Sequence, residues 1–519
     1  MPQPNVIVIV ADDLGYSDIG PFGGEIDTTS LQRLSDRGVR MSSYYVTPRC
    51  SPSRAALLTG RHPHSVGIGV LTTDNRPNGY AGSLRTDVPT LAEMLRGRGY
   101  ATGLFGKWHL ASEFSTPSDT WPTRRGFDEF RGILPGASSF FQPPLVEGEE
   151  RVPDQVGDDF YFTDDISEHG ADFVRRHAAQ EEPFFLFLAY TAPHWPLHAR
   201  EADIVKYRER FAAGWGPVRK ERLRRLQEEG LVPGVDRLPD AQTAAEWPDQ
   251  DTAWQVERMA VYAAQVEALD RGVGRVLDAL DASGAAEDTM IVFLSDNGGC
   301  AEELPPEIPF LSEVVCPRTT PSGEEVVLGN DASVLPGPAS TYQSYGPDWA
   351  TVSNTPFRLW KRWVHEGGIS TPFIASWPGG GVPRGGRISH SLGHVTDIVP
   401  TVMDALGAPN PGEGESLLEA WRNPETSGAE RTVWWEHIGN AAIRRGRWKL
   451  VRAWGGPWEL YDIEADRIES TDLSAEQPEL VEELTAAYTE WAESHAVIPW
   501  QDVLDDYAAR GIPVARAVG

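Results

Sequence analysis

The 519-residue chain is 40% hydrophobic and 24% charged, a globular composition with length for one large and one smaller domain, unlike a disordered or fibrous protein. Its 76 acidic against 46 basic residues leave a formal charge of −30, which argues against partners that need a basic face, nucleic acid and anionic membrane alike. No apolar run approaches a bilayer span and MPQPN lacks the basic and apolar parts of a signal peptide, so a soluble, cytoplasmic protein is expected.

The first strand candidate, NVIVIVA from Asn5, is an unbroken apolar run of the kind buried on both faces of a parallel sheet, and it ends in Asp12-Asp13. LQRLSDRG from Leu31 carries helical spacing. CSPSRAALLTG follows, and here Cys50 should sit just outside a helix N-terminus with Pro52 in the first turn. A side chain there faces the positive end of the helix and free backbone N–H groups, where a thiol would be acidified. TLAEMLRGRG from Thr90 reads as helix and YATGLF from Tyr100 as strand, and GKWHL then sets Lys107 and His109 two apart. DDISEHGADFVRRHAA from Asp164 is helical, PFFLFLAY from Pro183 is a strand, and His194 follows it in TAPHWP. A long helical stretch from Gln255 leads into the strand TMIVFLS from Thr289, which ends in Asp296-Asn297. NTPFRLWKRWVHEGG places Lys361 in a cationic and aromatic cluster.

Residues 131–160 and 301–355 interrupt this rhythm with Pro, Gly, Ser and acidic residues, and read as functional lids. Their aromatics, among them Phe140, Phe141, Tyr342, Tyr345 and Trp349, suit either a pocket lining or loop anchors. The alternation of strand and helix predicts an α/β fold, a large mixed, mostly parallel sheet flanked by helices, over residues 1–410. Residues 411–519 turn to short β segments and one closing helix, expected as a smaller α+β domain containing an antiparallel sheet.

In open α/β sheets ligands bind beyond the carboxyl ends of the strands, so Asp12, Asp13, Asp296 and Asn297 should share one edge. Either pair alone is an ordinary turn or cap. Together they are four oxygen donors with no cysteine-histidine cluster, which points to a hard divalent cation, Ca²⁺ or Mg²⁺. Lys107, His109, His194 and Lys361 are each unremarkable singly, but lysines at that edge of an acidic protein are what an anionic ester requires. Three cysteines make no disulfide framework. Cys300 and Cys316 at most pair across a loop, and free thiols are the plainer reading. A thiol at Cys50 does not suit a hard-cation site, and cysteine phosphatases space Cys and Arg further apart than the three intervening residues here. An oxygen species at position 50 resolves the mismatch.

CSPSR followed by AALLTGR resembles the signature of the type I sulfatases, in which the Cys of C-x-P-S-R becomes formylglycine, an aldehyde hydrated to a gem-diol. NVIVIVADDLGYSDIG, GKWHL, SDNGG, TPFRLWKRWVHEGGISTPFIASWPG, GRWKLV and ELYDIEAD resemble that family's other recurring segments, in order from Asn5 to Asp466, with bacterial arylsulfatases the nearest in character. The resemblance implies an alkaline-phosphatase-like fold, Ca²⁺ with Mg²⁺ as the alternative, a formylglycine-generating maturation enzyme as partner, and hydrolysis of aryl sulfates to a phenol and inorganic sulfate. Carried across, Asp12, Asp13, Asp296 and Asn297 would bind the metal with an oxygen of modified Cys50. Arg54 would hold the gem-diol, Lys107 and Lys361 would grip sulfate oxygens, and His109 and His194 would handle protons. Ala111 departs from the Gly of many relatives, and the two long loops match no family pattern. The nearest rival with the same layout is a phosphonate monoester or phosphodiester hydrolase; a silent binding protein and a plain cysteine enzyme stand further off.

Overall fold

The computed structural model describes residues 3–153, 159–180, 182–239, 247, 251–307, 315–426, 428 and 430–511. Ten strands form its large sheet: β1 (Asn5–Ala11), β2 (Val39–Tyr45), β3 (Ala101–Lys107), β4 (Glu129–Ile133), β5 (Val146–Glu147), β6 (Glu150–Arg151), β7 (Phe184–Ala189), β8 (Thr289–Ser295), β11 (Phe373–Ser376) and β12 (Arg387–His394). The short β9 (Val327–Leu328) and β10 (Thr341–Tyr342) pair by themselves. The order is β12-β2-β11-β8-β1-β7-β3-β4-β5-β6, and the central run β8-β1-β7-β3-β4 is parallel throughout.

Alternation within each central strand divides two cores. Ile7, Ile9 and Ala11 face one, with Ile291, Phe293, Leu186 and Leu188, beneath helices that include Phe162–His177 and Thr252–Ser283. Val6, Val8 and Val10 face the other, with Val292, Leu294, Phe185 and Phe187. Because successive side chains point to opposite faces, an apolar run is stable only where both faces are covered, and each such side chain contributes about 1.5–3 kcal/mol on burial.

The four strand candidates of the sequence reading are the four central strands of the sheet, and β2, β4, β5, β6, β11 and β12 complete it unannounced. They lack a clean apolar run. Arg40 in β2, for example, is buried because Gly386 O and Pro21 O accept its N–H groups and Glu229 pairs with it at 2.9 Å. The two long loops also differ from the lid expectation, insofar as they are described. Phe140, Tyr342, Tyr345 and Trp349 are buried and serve as anchors, and Tyr345 stacks on Tyr262 with ring centroids 4.5 Å apart. Residues 154–158 and 308–314 of these loops lie outside the described residues.

A separate antiparallel sheet is built from β13 (Thr432–His437), β14 (Asn440–Arg445), β15 (Trp448–Arg452) and β16 (Glu459–Asp462). Helix Pro478–Ser494 covers one face through Leu484, Tyr488 and Trp491. The other face sets Trp435, Val451 and Tyr461 against Tyr45, Val364 and Ile369 of the large unit. Cys50, Cys300 and Cys316 are buried free thiols. Among the described residues no helix is long and apolar enough to cross a membrane.

Candidate active site

Four adjacent parallel strands deliver the polar ends of their sequences to one edge of the sheet. Asp12 and Asp13 follow β1, Asp296 and Asn297 follow β8, Lys107 closes β3 with His109 two residues on, and His194 lies beyond β7. Each chain turns sharply as it leaves the sheet: Asp13 has φ 66° and His109 φ 54°, left-handed conformations that strand residues do not adopt. Gly136 makes room for the His109 ring, since a Cβ there would lie 2.4 Å from the imidazole.

Cys50 reaches the same place from the side. It is the first residue of helix Cys50–Thr59 rather than the residue before it, with Arg49 at the cap. Ser53 fixes the entry, accepting the Thr47 N–H at 3.0 Å and donating to Thr47 O at 3.0 Å. Cys50 Sγ lies 3.3 Å from His109 Nδ1. One turn on, Arg54 is fully buried; Nε donates to Asp296 Oδ2 at 2.9 Å and Nη1 to Lys107 O at 3.0 Å. Lys361 arrives on a loop whose backbone N–H donates to Gly299 O at 3.1 Å, and its Nζ donates to Asp13 Oδ2 at 2.9 Å. Lys107 Nζ donates to Asp12 Oδ2 at 2.7 Å. Thus all ten side chains named from the sequence meet in one buried cluster.

Three carboxylates face three permanent cations here, a balance that leaves two acceptors unmet. Asp12 Oδ1 and Asn297 Oδ1 are buried without a hydrogen-bond partner. Such orphaned oxygens are costly in a dry interior, and beside Asp13 and Asp296 they are oxygen donors of the kind that could hold a hard divalent cation. The ligand-capable atoms of Asp12, Asp13 and His194 already lie within 4.8 Å of one another. Burial drives the Asp12 carboxyl up to about 7, with Lys107 opposing and Asp296 reinforcing the rise. Asp13 is buried too, but Lys361, His194 and Asn297 outweigh that and hold it below the usual carboxylate range. Burial pushes His194 down to about 3 against the pull of Asp13, and holds His109 well below the ordinary imidazole value with help from Lys107 and Arg54. Both imidazoles are therefore neutral near pH 7. His194 Nδ1 lies 2.6 Å from Trp195 O, a contact that requires the proton on Nδ1 and leaves the lone pair of Nε2 facing Asp13 Oδ2 at 3.4 Å.

A second ring of charge went unread in the sequence. Arg49 pairs with Glu302 at 2.7 Å, Trp195 Nε1 donates to the other Glu302 oxygen at 2.8 Å, and Arg49 and Lys361 hold that carboxyl at about 2 against its burial. Tyr262 donates to Asp18 Oδ2 at 2.7 Å, and Asp18 is paired to buried Arg222 at 2.7 Å. Nothing local marks Glu302 or Asp18, because their partners stand far away in the chain.

Comparison with known proteins fits this geometry. Residues 4–408 match the family model described as Sulfatase. An uncharacterized sulfatase of Schizosaccharomyces pombe is 32% identical, covering 98% of this chain and 96% of its own length. The arylsulfatase of Klebsiella aerogenes is 34% identical over 78% of this chain and 87% of its own. Among solved structures, Ps i-CgsB in complex with k-i-k-neocarrahexaose is similar with a TM-score of 0.71 at 25% identity, covering 98% of both chains. This chain belongs to the sulfatase family and is a sulfuric ester hydrolase.

Proposed function

We propose that the protein hydrolyses aryl sulfate monoesters through formylglycine made from Cys50 by a maturation enzyme, at a divalent cation, Ca²⁺ in preference to Mg²⁺, held by Asp12, Asp13, Asp296 and Asn297. The observation that carries this reading is Cys50 Sγ, buried 3.3 Å from neutral His109, at an edge where two lysines and two orphaned oxygens converge. The arylsulfatase relative favours an aryl ester. In this reading residues 1–410 are the catalytic unit and residues 411–519 a subdomain packed on it.

When bound, the cation offsets the charge of sulfate oxygens and acidifies a neighbouring hydroxyl. Hydrated formylglycine would offer two hydroxyls at position 50 where a serine offers one. The protein's own side chains do the rest. Lys107 and Lys361, held by Asp12 and Asp13, fix the sulfate oxygens and stabilise charge that builds on them, with no reorganisation during the reaction. Arg54, clamped by Asp296 and Lys107 O, orients the group at position 50. His109 Nδ1, neutral and adjacent, accepts a proton from the hydroxyl there. His194 Nε2 takes up a proton with the substrate's negative charge and passes it to the departing oxygen, with Lys361 assisting.

Mass spectrometry of the peptide bearing residue 50, from protein made alongside a maturation enzyme, tests the first step. An aldehyde supports the reading, and an unmodified thiol in active protein overturns it. Rates on matched aryl sulfate and aryl phosphonate esters then separate sulfatase from phosphonate hydrolase, with the sulfate expected to be faster.

A further inference from the structure

We propose that a recess beside Lys361 is a leaving-group subsite for a single aromatic ring bearing a second anionic substituent. This rests on the sulfate-ester reading above and names the substrate class within it. The recess encloses about 220 Å³ and is lined by Arg362, Trp363, Ile438, Asn440, Trp454 and Trp500. A cavity of about 150 Å³ takes benzene, so this one suits one substituted ring rather than a fused polycycle.

Its position follows from the backbone. Arg362 is the residue after Lys361, and its N–H donates to Pro48 O at 2.7 Å, two residues before Cys50. Arg362 has φ 90°, a strained conformation for a non-glycine residue that persists only where the surroundings impose it. Asn440 imposes it from the small sheet: Nδ2 donates to Arg362 O at 3.3 Å while Oδ1 accepts the Trp454 N–H at 3.0 Å. One side chain thereby ties the strained arginine to the tryptophan across the recess. Trp454 is 50% exposed, one of four large apolar side chains left open to solvent among the described residues, and Trp500 backs the recess from helix Trp500–Arg510.

A positive charge stands among these aromatics. In a chain with 76 acidic residues, the exposed Arg362 makes no ion pair among the described residues, while Arg49 and Arg358 do. It sits 6.0 Å from the Trp363 ring centroid. Partial desolvation and Arg49 disfavour its charge more than Glu302 favours it, so an incoming anion stabilises the guanidinium where a neutral ligand does not. A planar guanidinium prefers a carboxylate or sulfate that accepts two N–H bonds, and aromatic faces prefer a ring.

The test compares kcat/KM for 4-carboxyphenyl sulfate with that for its methyl ester, in mature wild type, Arg362→Gln, Arg362→Lys and Trp454→Ala. Taking the acid-to-ester ratio cancels the difference in leaving-group acidity, which is the same in every variant. Arg362→Gln should lower the ratio about tenfold, and Arg362→Lys should restore most of it. Trp454→Ala should raise KM for both esters and leave the ratio alone. An identical ratio in wild type and Arg362→Gln overturns the anionic subsite. An Arg362-dependent ratio seen only with sulfated sugar acids overturns the aromatic assignment. No turnover of either ester by wild type is a different failure, that of the aryl sulfatase reading itself.

Discussion

Two of the buried charge clusters among the described residues differ in whether every carboxylate oxygen meets a cation or a donor. Where the small sheet meets the large unit, Glu366 is enclosed by Lys449 at 2.9 Å, Arg467 at 3.3 Å and the Tyr45 hydroxyl at 2.8 Å. Glu469 closes the set, accepting the Glu366 N–H at 2.9 Å and meeting Lys449 at 2.8 Å. At the sheet edge the same residue types, equally buried, leave Asp12 Oδ1 and Asn297 Oδ1 without partners. Buried charge by itself is thus no sign of function. A self-satisfied cluster holds two units together, whereas one left short of partners is arranged for something that binds.

The contrast is sharpest in four experiments. Cys50→Ala should lower kcat on 4-nitrophenyl sulfate by about 10⁴-fold or more while leaving the unfolding midpoint unchanged, because nothing in the fold depends on that side chain's one contact. Glu366→Gln should do the reverse, costing about 3–5 kcal/mol in denaturant unfolding while the folded fraction keeps wild-type kcat. Lys449 and Arg467 hold the Glu366 carboxyl at about 2, against the ordinary 4.5, despite its burial. Its contribution is therefore fully present above pH 4.5 and lost as pH falls towards 2. The urea midpoint of wild type should drop over that window and that of Glu366→Gln should drop less.

Lys107→Ala should lower kcat/KM about 10²–10³-fold through loss of a preorganised cation at the sulfate. An unchanged kcat/KM in Lys107→Ala would remove this lysine from the sulfate and move the edge cluster towards the structural kind. The smallest effect is thermal. Ca²⁺ at about 100 times its Kd should stabilise chelator-stripped wild type by about 2.7 kcal/mol, and Asp12→Asn should abolish that increment. An equal Ca²⁺ shift in both proteins would remove Asp12 from the cation site.

The central sheet was legible because burial on both faces leaves a mark in consecutive residues. NVIVIVA and TMIVFLS coincide with β1 and β8 residue for residue, β7 differs by a residue at each end, and β3 starts one residue later and ends two residues later than YATGLF. β2 and β12 escaped notice because their polar residues, Arg40 and His390 among them, are satisfied by partners distant in the chain. The long loops misled for a related reason. Proline, glycine and serine announce irregular backbone, but whether Tyr345 or Trp349 lines a pocket or packs in a core depends on what stands opposite. The aromatic recess comes instead from Trp363, Trp454 and Trp500, each ordinary in its own segment.

What the sequence determined by itself was therefore the local part: apolar strands, the polar residues that end them, and a cysteine at a helix start within CSPSR. Those features follow from side-chain period and backbone geometry over a few residues. The tertiary structure alone decided which charges meet. It sets Lys361 against Asp13 across 348 residues of chain and His109 against Cys50 across 59, and it leaves Asp12 Oδ1 and Asn297 Oδ1 without hydrogen-bond partners. A charge far away in the chain leaves no trace in its neighbours' periodicity, so its partner is known only once the sheet has brought the strand ends together.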